Sequence, residues 1–197
     1  FGAFSAALLL SGLISRRAGR LTDRLGGRRI MVAGSLSGAL GLLILGLFPN
    51  PASYVAGWLV LGLAMRLATY DAAFASLTQI VGQGARRAIS YLTLFGGLAS
   101  TVFWPVSHYL ALGIGWADTF LVYAALHLFV CLPIHWAVLR DARGDVPHEM
   151  PSAASSPHVE GRGRIQAMAI FAATVALNGL VFSAISAHAV PLFDALG

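Results

Sequence analysis

Apolar residues come in long unbroken runs along this chain, and the polar residues are gathered into the short stretches between them. Residues 30–48 carry no charge and are closed by Pro49-Asn50-Pro51, a strong breaker. Residues 53–81 form a second long run that holds two charges, Arg66 and Asp71. Residues 88–114 form another, with Gly96-Gly97 and Pro105 inside it, and 118–139 and 165–190 follow. The chain opens within an apolar segment, residues 1–15, which reads as the last part of a span. Runs of about twenty residues match the ~30 Å hydrocarbon core of a bilayer at ~1.5 Å per helical residue. Backbone polar groups cannot stay unpaired in lipid, so such runs are helices or strands of a closed barrel. Lengths near twenty without strict alternation favour helices. The pattern therefore predicts an all-α membrane protein, a polytopic bundle of transmembrane helices.

Composition agrees: 57% of residues are hydrophobic and 11% charged, against about 25% charged in ordinary soluble domains. The formal net charge is +5, but no soluble domain or separate basic face exists to carry nucleic acid, and none is expected as a partner. The placement of the charges says more. All 13 basic residues are arginines. They lie in residues 16–29, at Arg86-Arg87 and in residues 140–164, apart from Arg66. The connections at 49–52 and 115–118 have none. Because successive spans alternate in direction, the three basic connections share one side, which the positive-inside rule makes cytoplasmic. A multi-pass protein of the plasma (inner) membrane is expected. Cys131, the single cysteine, rules out an internal disulfide and reads as a small buried apolar residue. Residues 1–15 lack the basic leader of a signal peptide. With no initiating methionine, the chain reads as a fragment of a longer protein.

The stretch GRLTDRLGGRR over residues 19–29 carries more than orientation requires, since glycines and an aspartate recur at set spacing. It resembles the signature loop between the second and third helices of the major facilitator superfamily, roughly G-x-x-x-D-R-x-G-x-R-R. Gly19, Asp23, Arg24, Gly26, Arg28 and Arg29 match, and Gly27 stands where many members have another basic residue. The resemblance implies that residues 1–139 are helices two to six of the N-terminal half. Residues 140–164 would then be the cytoplasmic linker between halves and 165–197 would begin the C-terminal half with helix seven. It also implies that the loop latches the two halves in the outward-open state. Members often place an acidic partner for this loop at the cytoplasmic end of helix four. Here Gln79 and Gln83 stand there, and the nearest acid, Asp71, is about 16 Å inward along the helix from Gly82.

Arg66 and Asp71 are the candidate substrate or proton-coupling residues. A charge at the bilayer centre costs at least ~2.5–3.5 kcal/mol on insertion scales, so such residues face a water-filled cavity or a partner. On a continuous helix their spacing separates them by about 140°, which predicts a partner or cavity for each on another helix. Arg66 resembles the arginine of the family's second motif, R-x-x-x-G-x-x-x-A, but Tyr70 replaces its glycine. Tyr70, His108 and Asn178 are further candidates for contact with substrate or proton. His108 also reads as an aromatic-like core residue near the outer end of its span. Pro105 favours a kink, and Gly96-Gly97 reads as a close-packing site. That pair does not match the glycine-rich antiporter motif of drug exporters. His127 and His135 lack the three- or four-residue spacing of helical metal ligands, so no metal is expected. His148 and His158 fall in the linker. His188, Pro191 and Gly197 resemble the outer end of helix seven in monocarboxylate-type members.

No nucleophile–base set is apparent, so the chain is not expected to be an enzyme or to need a cofactor. The expected function is secondary active transport of a small solute by alternating access, with an organic anion as first candidate and protons as coupling ion, by a monomer in the lipid bilayer. The alternatives are proton-coupled export of amphipathic compounds, by symport or antiport logic, and a non-transporting membrane receptor on the same fold.

Overall fold

A computed structural model describes residues 2–139 together with residues 166, 170, 173, 174 and 177. The regular elements of residues 2–139 are all helical: α1 (Gly2–Leu25), α2 (Gly27–Leu47), α3 (Pro51–Ala68), α4 (Tyr70–Val81) and α5 (Ala85–Leu126), then a π-helical turn (His127–Cys131) and α6 (Leu132–Val138). A short 3₁₀ turn, Gly82–Gly84, joins α4 to α5. The chain divides into two compact units, Phe1–Pro147 and His148–Gly197. In the second, the described residues are helical, with Thr174 Oγ1 donating to the Ile170 carbonyl at 2.9 Å. The expected linker, Asn178 and His188 lie outside the described residues.

Among the described residues, three stretches are long and apolar enough to cross a membrane: Gly27–Leu47, Pro51–Val81 and Ala85–Val138. The last would be about 80 Å long if straight, more than twice the hydrocarbon thickness. It turns instead at Gly115, whose φ of 85° and ψ of 164° only glycine adopts without strain. The expected connection at 115–118 thus contracts to a single glycine. Pro105, expected to mark the bend, lies within the helix, and Gly115 is the residue with non-helical dihedrals.

The arginine-rich stretch 16–29 is likewise not an open loop. α1 runs through it to Leu25, and the chain breaks only at Gly26, with φ 79°. Arginine is a good helix former, so nothing in residues 16–25 ends the helix once it leaves the hydrocarbon.

α2 is the central element. Its glycines let backbones approach from two sides. A Cβ at Gly34 would lie 2.6 Å from the Ala68 Cβ, and one at Gly41 would lie 2.8 Å from Leu61 Cγ, both in α3. On another side, a Cβ at Gly46 would meet Leu121 of α5 at 2.6 Å, and one at Gly38 would meet the His127 ring at 3.0 Å. Gly62 of α3 lies against the backbone of Ala7 in α1. Ile30, Met31 and Ala72 form a buried apolar cluster, with Leu67, Ala73 and Leu139 packed on it. The first arm of α5 is different: Tyr91, Leu94, Phe95, Leu98, Trp104 and Tyr109 are all exposed. A surface of that kind is incompatible with water and suits lipid or a further helix.

Candidate functional site

The apolar run of residues 53–81 is not one helix. Thr69 takes an extended conformation, φ −93° and ψ −166°, between α3 and α4. Its hydroxyl turns back to the Met65 carbonyl and caps nothing in α4. The break changes the geometry around it. Arg66, in the last turn of α3, and Asp71, in the first turn of α4, are joined by an ion pair, Nη1 to Oδ2, at 2.5 Å. The two charges of this one span are each other's partner, where their spacing on a continuous helix predicted a partner or cavity for each on another helix. The 140° separation holds only where the helix is continuous, and the extended residue at Thr69 swings the Asp71 carboxylate back toward α3. The Arg66 side chain is 25% exposed and that of Asp71 61%. A guanidinium has five N–H donors, and the pair engages one nitrogen of it.

Tyr70 sits at the same break. Its ring stacks obliquely on Phe74 at 5.4 Å between centroids and lies on Gly96 of α5, where a Cβ would fall 2.7 Å from the phenol Cζ. Gly96 is thus the close-packing position, while a Cβ on Gly97 would meet nothing within 4 Å. Tyr70 replacing the motif glycine and Gly96 receiving its ring are complementary in size. His108 is not brought to this site: it is exposed on α5 and packs edge-on against Tyr109 at 5.9 Å. Its reading as a core residue is corrected by that exposure.

At the other end of α4 lies the signature stretch. Gly26 donates its N–H to the Thr22 carbonyl at 2.9 Å, and Gln79 Nε2 reaches the same carbonyl at 3.5 Å. The glutamine in α4 thus touches the end of α1. Gly27 lies so close to Ser76 that a Cβ would overlap its Oγ. This is a physical reason for glycine where many members carry a basic residue. Arg28 is half-buried, with its guanidinium 3.9 Å from the centre of the Trp136 ring in α6. Gly19, Asp23, Arg24 and Arg29 are exposed. Asp23 lies in the last turn of α1, where the helix dipole disfavours an anion, and among the described residues the one ion pair is Arg66–Asp71.

Sequence reasoning missed a polar contact between α2 and α6. Ser35, fully buried, shares a 2.8 Å hydrogen bond with His135 Nδ1. The π-helical turn at His127–Cys131 inserts an extra residue in the turn preceding α6, and so sets which histidine faces Ser35. Nothing in the residue pattern signals a π turn. No cluster of three metal-ligating side chains occurs among the described residues.

A bundle of membrane-length helices, glycine-sealed, with an ion pair at a break inside one span, is the architecture of a helical membrane protein. The sequence profile of the Major Facilitator Superfamily matches residues 1–197, and the chain belongs to that superfamily. No curated protein and no solved structure matches it. Membership makes it an integral membrane protein of the transporter class, with a small molecule as substrate; members of the family are typically transporters rather than enzymes.

Proposed function

We propose that the chain is part of a secondary active transporter that carries a small organic anion across the plasma (inner) membrane by alternating access, with protons as the coupling ion. Arg66 is the anion's holder. The observation that carries this reading is a guanidinium well inside a span, at an interruption of the helix, with most of its donors outside its one ion pair. Transporters build midplane sites from such interrupted helices. A guanidinium keeps its charge and grips a carboxylate through two parallel bonds. Tyr70 lines the same break; His108 and Asn178 are secondary candidates.

The test is uptake of labelled carboxylates into proteoliposomes, with and without a pH gradient. Arg66→Ala abolishes uptake, and Arg66→Lys, which keeps the charge but loses the planar fork, weakens apparent affinity. Wild-type uptake in Arg66→Ala removes the residue from the site. In the same assay Asp23→Asn reports on the latch: an anchoring loop tolerates it, because acids contribute little to orientation, whereas a latch loses flux with expression intact. Asp23 at a dipole-disfavoured helix end is what supports the latch. The cytoplasmic placement of the basic connections is checked with a cysteine at Ser152, Cys131 having been removed. It stays unlabelled by impermeant thiol reagents in intact cells.

A further inference from the structure

The Arg66–Asp71 pair raises a question of charge. If Arg66 holds the anion, its seat is already taken in this structure by a carboxylate of the chain itself. Asp71 is tethered by α4 and reaches Arg66 only because the helix is interrupted at Thr69. The pair is neutral. Adding an anion to it while both partners stay ionised would leave one uncompensated negative charge within a membrane span, which is costly. Adding the anion together with a proton leaves the site neutral. The proton goes to a carboxylate oxygen of Asp71, the Arg66–Asp71 ion pair breaks, and the incoming carboxylate takes the place of Oδ2 on the guanidinium.

We infer that Asp71 is a built-in competitor for the carboxylate seat on Arg66, so that the protein binds an organic carboxylate and a proton together, one of each. This rests on the reading of Arg66 as the anion's holder and adds the rule by which the site is emptied and filled. The exposure of Asp71 fits the role: its side chain is 61% exposed and can leave Arg66 without passing through packed side chains. Among the described residues, the groups packed around the break leave the exchange to these two residues. α2 presents Gly34 against Ala68. α5 presents Gly96 beneath the Tyr70 ring, which makes the Tyr70 phenol the titratable group adjoining the pair. The contact of α1 with α4 seen at Gln79 and Thr22 lies at the far end of α4, and the charges of α1 begin at Arg16.

Linkage sets the sign. The anion-bound state holds one more proton than the empty state, so affinity rises as pH falls. The experiment measures binding of acetate, lactate, benzoate and succinate to the purified full chain by thermal stabilisation, at mildly acidic and mildly alkaline pH. In the wild type, affinity for the binding carboxylate rises toward acid pH. Asp71→Asn, which keeps the volume and removes the competing charge, binds the same carboxylate at least about threefold more tightly at alkaline pH, the scale on which a partly open ion pair acts, and loses the pH dependence. Asp71→Glu keeps it. An indicator dye with the wild-type protein, which needs no variant, reads about one proton taken up per carboxylate bound.

Unchanged or weaker binding in Asp71→Asn, a pH slope that survives in it, or no proton uptake overturns the competitor while leaving Arg66 as the holder. Wild-type binding in Arg66→Ala, or no carboxylate bound by either wild type or Asp71→Asn, overturns the anion site itself and this inference with it.

Discussion

The chain interrupts its helices in two contrasting ways. Between α2 and α3, at Phe48–Pro51, the backbone is fully provided for. Asn50 Oδ1 accepts the Ser53 N–H at 2.9 Å, Ser53 Oγ accepts the Asn50 N–H at 3.4 Å, and the Ser53 hydroxyl donates to the Phe48 carbonyl. Pro51 occupies the first helical position, where its missing N–H costs nothing. At Thr69 the next helix starts with no side-chain cap. Its first turn carries Asp71, whose charge suits the dipole but whose carboxylate is turned to Arg66. The first interruption lies at the end of a span, where water is at hand, and is nevertheless sealed. The second lies within a span, where unmet donors cost most, and is left open. An interruption that is fully satisfied serves the fold. The one left with donors to spare within a membrane span is where the proposed anion site lies.

The largest effect that separates the two comes from the packing around them. Gly34→Leu drives a side chain into Ala68 and the Leu67 backbone, just ahead of Thr69. Overpacking of this kind costs about 1–3 kcal/mol or more, and the folded fraction after detergent extraction falls accordingly. Gly12→Leu, at a position with open space, leaves it unchanged. Equal losses in both would mean that the seam is not close-packed.

Next in size is the cap. Asn50→Ala loses about 1 kcal/mol of stability, seen as a lower melting temperature, with carboxylate affinity intact. Thr69→Ala removes no cap and raises helix propensity by a few tenths of a kcal/mol, so melting barely moves while affinity and its pH dependence change. If Thr69→Ala lowers the melting temperature as much as Asn50→Ala does, the two interruptions are of one kind. Gly96→Ala then probes the open side alone: the added methyl displaces the Tyr70 ring and lowers flux several-fold, and Gly97→Ala serves as the silent control. The smallest effect is far from both. Arg28→Gln removes the stacking on Trp136, worth about 0.5–1 kcal/mol, and shifts melting slightly with no change in substrate affinity.

Which parts of this could be read from residues alone follows from how local their causes are. The helical spans, the basic connections and the turn at Pro49-Asn50-Pro51 depend on hydrophobicity, charge and a capping box within four residues, so residues 30–48 and α2 coincide almost end to end. The signature stretch was legible as a motif but not as a shape, because arginine favours helix and only Gly26 departs from it. The meeting of Arg66 with Asp71 was not legible. Helical periodicity assumes an unbroken helix, and threonine is an ordinary residue within a membrane span.

The sequence by itself determined the solvent of this protein, its helical class, its superfamily signature and the two charged residues that a membrane span would not hold without purpose. Those are consequences of transfer free energies and of spacing along the chain, which need no third dimension. Tertiary structure alone decided that Thr69 is extended and that the two charges join. It also decided that Tyr70 lies on Gly96 and that a π turn places His135 beside Ser35. Each is settled by packing between helices, where a glycine in one element admits the side chain or backbone of another. Such pairings join residues dozens of positions apart and leave no periodic trace in either segment.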